Sequence, residues 1–507
     1  MSRKASYRRG LGYGAASYVA SGALSVVSGI VIARVYGIRV VGEFALVSAP
    51  IQAVWFLSTV RERPAFIREV TMLQLRAPRI TGLFVAVFSF SLVLTTVVGA
   101  LGLIVTYFVF AGPIEHPELF MPAAVSVGGY VVLTNTNFNL DGVFAAFRGG
   151  QPLFFIRLHE QLGFTVFAIA AGVASTSVWG LVLATIGAAL TTLVHRLVSI
   201  RPYMRMWVSR REIRKGFDTL PDILRFGLKS TPGAMADGVS GACGVWILGA
   251  TSSVTAVGAY SRAQLIAARL WVGMRINEML FPTLLERRHS GDHAGFSRAL
   301  VDSIRYTAVI LLLPAAAMGG DAEGVLGLFG PGFSSASDAL IVFLLVPMLG
   351  ASSSFLRHTL YALDAPAKSS VAGLLRMAIT LAATVPLTIW LGPVGPALGL
   401  VIGYVADLGY VVAATRRAFE ESPWRLWRAQ EVGALIVAYG AGFGAARLTT
   451  SAIEGSASVL PALSVGCVAY CAVFFLLGGL NRRDRDRIVE LKRALRQRRT
   501  ERTAAAR

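Results

Sequence analysis

Apolar runs of about 20 residues recur from residue 12 to residue 480, and they constrain the chain more than any other feature. A run of this length crosses the hydrocarbon core of a bilayer as a helix. Only 15% of the residues are charged, against about 25% in an ordinary soluble domain. Open sheets are excluded in hydrocarbon, because their backbone groups would lack hydrogen bonds. The sequence therefore predicts an all-α, polytopic membrane protein.

Fourteen transmembrane spans are predicted from these runs. They cover residues 12–34, 38–60, 80–110, 119–145, 154–174, 177–198, 224–249, 254–280, 299–318, 337–361, 369–391, 395–415, 430–448 and 457–480. We expect a six-helix N-terminal bundle at 1–198 and a six-helix C-terminal bundle at 224–420, joined by a basic cytoplasmic linker at 199–223. Helices 13 and 14 follow within 421–480, and a basic cytoplasmic tail occupies 481–507.

Lysine and arginine are distributed unevenly across the predicted membrane. With a cytoplasmic N-terminus, 39 of the 48 Lys and Arg fall in the terminal segments and the cytoplasmic loops, whereas the opposite loops hold only Arg39 and Arg447. This asymmetry satisfies the positive-inside rule. We therefore expect a multi-pass protein of the cell membrane with both termini in the cytoplasm. Topology accounts for the net charge of +20, so no nucleic-acid partner is expected.

A faint internal repeat appears when the sequence is aligned with itself so that Val41-Gly42 falls on Val257-Gly258. Ile186-Gly187 then falls on Ile402-Gly403, and several further identities occur in the same alignment, which we call the repeat register. It predicts two parallel six-helix halves related by a pseudo-two-fold axis, with helices 13 and 14 outside the repeat. Parallel repeats of this kind are a transporter architecture, and the substrate site lies between the halves.

Besides the residues counted with the loops, seven arginines lie within the predicted spans, and three of them lie in the eighth, "AVGAYSRAQLIAARLWVGMRI" (256–276). A central Arg that faces lipid costs about 2.5–3.5 kcal/mol on insertion scales, so we expect these side chains to face protein or water. Arg262 and Arg269 are seven residues apart and share one helical stripe. Arg275 lies nearer the cytoplasmic end, where it can snorkel. The alternative is that two of these three arginines snorkel toward the ends of the span and the third forms a buried ion pair.

Acidic residues in the spans are fewer than the cations. Arg34 can pair with Glu43 near the external end, and Arg376 can pair with Asp407 inside the membrane. The positive charge that remains favours a water-filled cationic cavity between the halves. Because a guanidinium group binds phosphate in a bidentate manner and stays charged, such a cavity favours an anionic substrate.

Two spans are rich in small residues. Span 7, "LRFGLKSTPGAMADGVSGACGVW", contains Pro232, where we expect a kink that frees backbone groups. Interrupted helices often mark transporter sites. In span 1, Ser17, Ser21, Ser25 and Ser28 form a polar stripe at helical spacing. This stripe fits close helix packing as well as the lining of a cavity.

Three stretches carry a family resemblance: "IARVYGIRVVGEFALVSAPIQ" (32–52), "VLGLFGPGFSSASDALIVFLLVPML" (325–349) and "LGPVGPALGLVIGYV" (391–405). They resemble the first helix pair, the tenth helix and the eleventh-to-twelfth turn of the multidrug/oligosaccharidyl-lipid/polysaccharide (MOP) exporter superfamily. The most similar branch is that of the polysaccharide (Wzx-type) flippases. The resemblance implies a flippase that moves polyprenyl-diphosphate-linked oligosaccharide from the inner to the outer leaflet for cell-surface polysaccharide synthesis.

The expected cationic cavity suits this cargo, because the head group would lose water in hydrocarbon. The substrate-binding candidates are cationic residues of the spans: Arg269, Arg262, Lys229, Arg376 and Arg275. Asp237 and Asp407 are candidates for coupling to protons or sodium, and each can also be an ordinary ion pair. The membrane potential is a further energy source. No catalytic residue, metal or organic cofactor is expected.

Other functions stay open. A lipid II flippase also has fourteen spans, although the acidic-Ala-Phe signature of that branch is not found in "EFALVSAP" (43–50). A drug or cation antiporter usually has twelve spans and acidic sites. A membrane polymerase or glycosyltransferase should have a sizeable domain outside the membrane or acidic residues clustered in a loop. A scaffold for a polysaccharide-assembly complex would transport no substrate. Besides the bilayer and the lipid-linked oligosaccharide, a polysaccharide polymerase and glycosyltransferases are the expected partners.

Overall fold

A computed structural model gives the fold and describes residues 3–58, 60, 62–71, 73–147, 150–228, 231–270, 284, 287–288, 290–363, 365–416, 428–453 and 455–479. The helices within these residues are numbered in chain order. They are α1 (Arg3–Leu57), α2 (Glu62–Thr71), α3 (Pro78–Ala111), α4 (Phe120–Gly129), α5 (Asn135–Ala146), α6 (Gly150–Ala174), α7 (Val178–Ser199), α8 (Arg210–Leu228), α9 (Thr231–Thr251), α10 (Val254–Leu270), α11 (His293–Gly320), α12 (Ala322–Gly327), α13 (Ser337–Phe343), α14 (Val346–Ala362), α15 (Pro366–Leu391), α16 (Val394–Arg416), α17 (Ala429–Ala452) and α18 (Val459–Leu476).

Eleven helical segments in the described part of the chain are long and apolar enough to cross a membrane. The first, Ala20–Leu57, holds two of the predicted spans, because Gly37 interrupts α1 with a φ of 75°. Glycine reaches this conformation without the steric cost that a Cβ brings. The predicted all-helical membrane fold is confirmed, and the count of fourteen spans stays a prediction.

The helix bounds follow the repeat register that the sequence suggested. In the repeat register, the first and last residues of the segment Pro117–Ala146 align with the first and last residues of the segment Phe333–Ala362. The next two helices keep the register, because α6 and α7 begin at Gly150 and Val178 and their counterparts α15 and α16 begin at Pro366 and Val394. The agreement supports two halves built on one helix pattern, with α17 and α18 outside it.

The halves meet backbone to backbone at two repeat-related glycines. A Cβ added to Gly42 would lie 2.0 Å from the carbonyl oxygen of Val254 and 3.0 Å from the nitrogen of Gly258. A Cβ added to Gly258 would lie 2.3 Å from the carbonyl oxygen of Ile38. Residues that contact their own repeat mates lie close to the axis relating the repeats. The pseudo-two-fold axis therefore passes between α1 and α10 at this contact.

The linker predicted at 199–223 is largely helical. The linker helix α8 crosses the beginning of α3 at two glycines: a Cβ on Gly82 would lie 2.2 Å from the carbonyl oxygen of Glu212, and one on Gly216 would lie 2.1 Å from that of Gly82. Charged side chains cover the exposed face of α8, whereas Gly216 and Ile223 are buried. The linker is therefore an amphipathic helix that rests on the N-terminal half.

The kink predicted at Pro232 stays a prediction. A proline disturbs the helical turn that precedes it, and residues 229 and 230 of that turn lie outside the described residues. From Thr231 the helix α9 continues to Thr251.

The C-terminal helices α17 and α18 pack against α11. Arg305 on α11 is buried and donates to Glu431 on α17 at 3.2 Å, and Asp302 lies 3.8 Å away. Removing one member of a buried pair leaves an uncompensated charge. Arg305, one of the seven span arginines, therefore holds the C-terminal helix pair in place.

Candidate functional site

The two arginines predicted to share a stripe in the eighth span lie on α10. Arg262 is half-buried, and its Nη1 is 3.5 Å from the position that a Cβ on Gly29 of α1 would take. The Nε of Arg262 is buried and makes no hydrogen bond to a described residue. Arg269 lies two turns farther along and is exposed. Among the residues that the structure describes, no acid pairs with either side chain.

Arg269 lies in the wall of a groove of about 330 Å³ between α1, α10, α11, α12 and α18, which we call the α1/α18 groove. The other lining residues carry no charge, and among them are Val26, Met318, Phe329 and Leu463. The sequence predicts a water-filled cationic cavity between the halves. At this position the structure has an apolar groove with one guanidinium group in its wall, and the water-filled cationic cavity stays a prediction.

The small-residue face of α1 has two uses. Gly22 and Ala23 line the α1/α18 groove. The hydroxyl groups of Ser28 on α1 and Thr165 on α6 are 2.5 Å apart, and Ser25 is also buried. Ser25 and Ser28 therefore serve helix packing, which is one of the two roles predicted for the stripe, while Gly22 and Ala23 line the groove. The side chain of Ser17 lies outside the description.

Two predicted substrate ligands, Lys229 and Arg275, lie outside the described residues. Their role in substrate binding stays a prediction.

The pairing predicted for Arg34 and Glu43 is wrong. The Nε of Arg34 donates to the carbonyl oxygen of Leu328 at 2.7 Å. Glu43 accepts from Arg39 at 3.2 Å. Gly37 ends the first helical part of α1, so Arg39 and not Arg34 lies one turn before Glu43 on the same helix.

A buried ion network crosses the C-terminal half. Arg357 on α14 donates to Asp407 on α16 at 2.8 Å and to both oxygens of Asp237 on α9, at 3.1 and 3.2 Å. Arg376 on α15 donates to Asp237, lies 3.9 Å from Asp407 and stacks 4.4 Å above the ring of Tyr404. Two guanidinium groups thus balance two carboxylates across four helices. We call Arg357, Arg376, Asp237 and Asp407 the C-terminal ion network.

This network contains three residues for which the sequence predicts other roles. Arg376 is a predicted phosphate ligand, yet it faces two acids. Asp237 and Asp407 each face two guanidinium groups, which is the ion-pair alternative to a coupling site. Asp407 is fully buried, whereas 34% of the Asp237 side chain is exposed, so the network is open on one side. Substrate binding by Arg376 and ion coupling by the two aspartates stay predictions.

Two buried arginines, Arg357 and Arg196, have no role predicted from the sequence. Arg196 lies on α7 and donates to Asp141 on α5 at 2.9 Å and to Glu160 on α6 at 3.1 Å. We call these three residues the N-terminal ion network. A signal was present, because the repeat register aligns Asp141 with Arg357 and Glu160 with Arg376. Because repeat-related positions inside apolar spans carry opposite charges, the pattern indicates one ion network in each half, with arginines in one half where the other half has acids.

Comparison with known sequences gives one family. Residues 81–319 match a family described as "Polysaccharide biosynthesis protein". No curated protein matches the chain.

Solved transporters share the fold. "Lipid II flippase MurJ, inward closed conformation" is 13% identical, with a TM-score of 0.68 over 91% of this chain and 98% of that one. An inward-facing multidrug resistance MATE family transporter of the MOP superfamily is 16% identical, with a TM-score of 0.60 over 80% and 98%. A Pyrococcus furiosus MOP superfamily transporter, described by the reverse polarity of its binding pocket, is 15% identical, with a TM-score of 0.51 over 80% and 95%.

The family match and the shared fold confirm the resemblance to the MOP exporter superfamily that the sequence motifs indicated. The apolar helices and the shared fold support a multi-pass membrane protein. At these low identities the solved structures show the fold alone, and neither a role nor a cargo follows from them.

Proposed function

We propose that the protein is a flippase that moves polyprenyl-diphosphate-linked oligosaccharide from the cytoplasmic to the outer leaflet by alternating access. The observation that carries this proposal is the α1/α18 groove, an apolar channel with the guanidinium of Arg269 in its wall and no described acid to balance it. The match to a polysaccharide biosynthesis family supports the same cargo.

The apolar part of the groove suits a polyprenyl chain. Packing against apolar side chains gives no hydrophobic gain over lipid, because lipid tails are equally apolar. The groove instead lets the tail stay in an apolar environment while the head group is held by the protein. A charged or strongly polar ligand would gain nothing from walls such as Val26, Met318 and Phe329.

The diphosphate would be held by Arg269 and Arg262. A diphosphate presents several oxygens, and guanidinium groups donate to phosphate in a bidentate manner. The buried Nε of Arg262 has no hydrogen-bond partner among the described residues, and an unsatisfied buried donor costs about 1–3 kcal/mol. An anionic head group at this depth would satisfy that donor and balance both charges.

The oligosaccharide requires the halves to move. A volume of about 330 Å³ is at the small end of the roughly 300–1,000 Å³ found for ligand pockets. The groove can hold part of the tail and the diphosphate, and the sugars need a wider opening between the halves. Rocking of the halves about the Gly42–Gly258 contact would supply this opening.

Coupling and topology belong to the same proposal. We expect both termini to be cytoplasmic, and we expect the energy to come from a proton or sodium gradient, from the membrane potential or from consumption of the product outside. A polysaccharide polymerase and glycosyltransferases are the proposed partners.

Lipid II is the second candidate cargo. The fold similarity to the lipid II flippase MurJ covers 91% of this chain, against 80% for the MATE family transporter. Lipid II would present the same tail and diphosphate chemistry to the groove. The two cargoes therefore differ in the sugar, which the groove does not contact.

Transport of fluorescent cargo in reconstituted vesicles tests the proposal. Wild-type protein should move the labelled polyprenyl-diphosphate oligosaccharide between leaflets, and empty vesicles should not. Arg269→Ala should slow movement about tenfold or more, because a hydrogen bond to a charged group contributes about 1.5–3 kcal/mol. Arg269→Glu should abolish it. Arg298→Glu is the matched control, since Arg298 is exposed on α11 and lies outside the groove lining.

The outcomes separate the candidates. Normal transport by the Arg269→Glu protein would show that the groove is not the substrate site. Movement of lipid II in place of the oligosaccharide would replace the first cargo with the second. Movement of neither cargo by the wild-type protein would reject the flippase proposal.

A further inference from the structure

The linker lies against the first turns of α3. The hydroxyl group of Thr81 donates to the carbonyl oxygen of Arg205 at 2.6 Å, and α8 crosses α3 at the contact between Gly82 and Gly216. The helix α3 has 34 residues, and no residue after Arg79 carries a charge. Because a spanning helix needs only about 20 residues, the first turns of α3 lie at the level of the lipid head groups. The linker therefore runs along one surface of the bilayer.

One edge of α8 is apolar and exposed. Its residues lie at spacings of seven and four, which places them on one stripe of the helix: Phe217, Leu224 and Leu228. Phe217 is 43% exposed and Leu228 is 55% exposed, whereas Gly216 on the neighbouring face is buried against α3. At the depth of the head groups, an apolar stripe of this kind meets the boundary with the acyl chains.

An exposed tryptophan stands just before α8. Trp207 is 91% exposed, the largest value for an apolar side chain in the described part of the chain, and Met206 beside it is also exposed. Tryptophan is enriched at membrane–water interfaces, because its ring is amphipathic and sits among the head groups. Trp207 is two residues from Arg205, whose carbonyl oxygen contacts α3, so it lies close to that level.

Two arginines border the apolar stripe. Arg210 lies seven residues before Phe217, and Arg214 lies one turn after Arg210. Both side chains are exposed, and no acid of the described chain is within ion-pair distance of either. Guanidinium groups donate to phosphate in a bidentate manner. Basic residues beside exposed apolar groups are typical of helices that lie in the interface and bind anionic lipid.

The other side of the exposed face of α8 is largely neutralised. Lys215 donates to Glu212 at 2.7 Å, and Arg225 lies 3.6 Å from Asp222. The positive charge without a described partner is thus concentrated near the beginning of α8. The chain's own tail, 481–507, is strongly basic and would be repelled from this position. Charge complementarity therefore favours an anionic occupant from outside the chain.

We propose that α8 and residues 205–209 form an interfacial anchor that binds anionic phospholipid. Trp207, Phe217 and Leu228 enter the boundary between head groups and acyl chains, and Arg210 and Arg214 bind the lipid phosphates. The proposed topology makes this the cytoplasmic leaflet, whose surface is anionic. Because α8 packs on the N-terminal half, the anchor holds that half to the leaflet. No residue of the anchor lines the α1/α18 groove.

Lipid binding to the full-length protein in neutral detergent micelles tests the anchor. Native mass spectrometry measures the affinity for phosphatidylglycerol against that for phosphatidylcholine. Wild-type protein should prefer phosphatidylglycerol. In the Arg210→Gln/Arg214→Gln protein this affinity should fall about thirtyfold, as expected for the loss of two basic residues at an anionic surface. The matched control is Arg298→Gln/Arg428→Gln, which removes two exposed arginines elsewhere and should keep the preference.

Two results would overturn the anchor. An unchanged affinity for phosphatidylglycerol in the Arg210→Gln/Arg214→Gln protein would show that these arginines do not bind the lipid. An equal loss in the control protein would show that total charge decides and that no local site exists. The unfolding temperature without added lipid should be the same in all three proteins, because the replaced side chains are exposed.

Fluorescence quenching in lipid nanodiscs gives a second measurement that keeps both arginines. The part of the tryptophan emission that Trp207→Phe removes should be quenched by phosphatidylcholine with bromine high on its acyl chains. Trp246→Phe defines the control signal, because Trp246 is half-buried against the core and should be quenched far less. Quenching of the Trp207 signal by iodide in the water, and not by the brominated lipid, would point to a soluble protein partner and reject the anchor. Neither measurement uses the proposed cargo.

Discussion

The two halves of the molecule place ionisable side chains at the same positions and give them opposite charges. In the N-terminal half two acids, Asp141 and Glu160, face an arginine on α7. In the C-terminal half the repeat mates of these acids are Arg357 and Arg376, and they face an aspartate on α16. One helix pattern thus supports a buried network of either polarity.

The halves also differ in how the charges are balanced. The C-terminal ion network has a fourth member, Asp237 on α9, which matches the second arginine. The repeat mate of Asp237 is Ser21, which carries no charge. The two halves therefore hold their ion networks at the same repeat positions, but the signs of the charges at these positions and the net charge of the network differ. Fixed charges balance the C-terminal ion network, whereas the N-terminal ion network has one arginine for two acids.

Removal of Arg196 should have the largest effect. In the Arg196→Met protein, the nearly buried Asp141 would keep no described cation, and breaking a buried pair costs about 3–5 kcal/mol. Arg357→Met should cost less, because Asp237 and Asp407 both keep Arg376. The free energy of unfolding in detergent micelles checks both, with Arg298→Met as the control. An equal loss from both substitutions would contradict the difference in charge balance between the two networks.

The Gly42–Gly258 contact on the pseudo-two-fold axis should lose the same stability whichever of the two glycines is replaced. Gly42→Ala and Gly258→Ala each place a methyl group against backbone of the other half, and overpacking costs about 1–3 kcal/mol. Gly440→Ala is the control, because nothing lies within 4 Å of a Cβ there. Thermal unfolding measures the cost. If Gly42→Ala and Gly258→Ala lower the unfolding temperature by very different amounts, the pseudo-two-fold axis does not pass through this contact.

Replacing one acid at a time should distinguish the two ion networks, because their net charges differ. Asp237→Asn leaves two guanidinium groups with one carboxylate, and we expect a loss of about 1–3 kcal/mol. Glu160→Gln removes excess negative charge from a half-exposed position, so its effect on the free energy of unfolding should stay within about 1 kcal/mol. If Glu160→Gln is the more damaging change, the N-terminal half is not the unbalanced one.

Sodium should have the smallest effect. The carboxylates of Asp237 and Asp407 already face guanidinium groups, so exchange of sodium for potassium should leave the unfolding temperature unchanged. A sodium site filled at 100 times its Kd would add about 2.7 kcal/mol. A stabilisation that saturates with sodium would therefore support Asp237 and Asp407 as coupling sites.

Much of the fold can be read from the sequence, because helix length and hydropathy are local properties. The repeat register can also be read along the chain, and it predicts where α15 and α16 begin from the first residues of α6 and α7. The linker was harder. The charges of α8 suggest a loop, although its buried Gly216 and Ile223 show that one face packs on α3.

The candidate site was predictable only in part. Arg262 and Arg269 stand out because a guanidinium group in an apolar run is visible without any partner. The ion networks are not visible in this way, since Arg357 pairs with residues 120 and 50 positions away. The pairing of Arg34 with Glu43 failed because Gly37 lies between them and changes the direction of the helix.

A perfect two-fold molecule would present the same face on its front and its back. Here Leu463 of α18 closes one side of the groove beside α1, and α18 belongs to neither repeat. The two added helices thus break the two-fold equivalence of the bundle, because α18 lines the groove on one side and has no counterpart within the repeats.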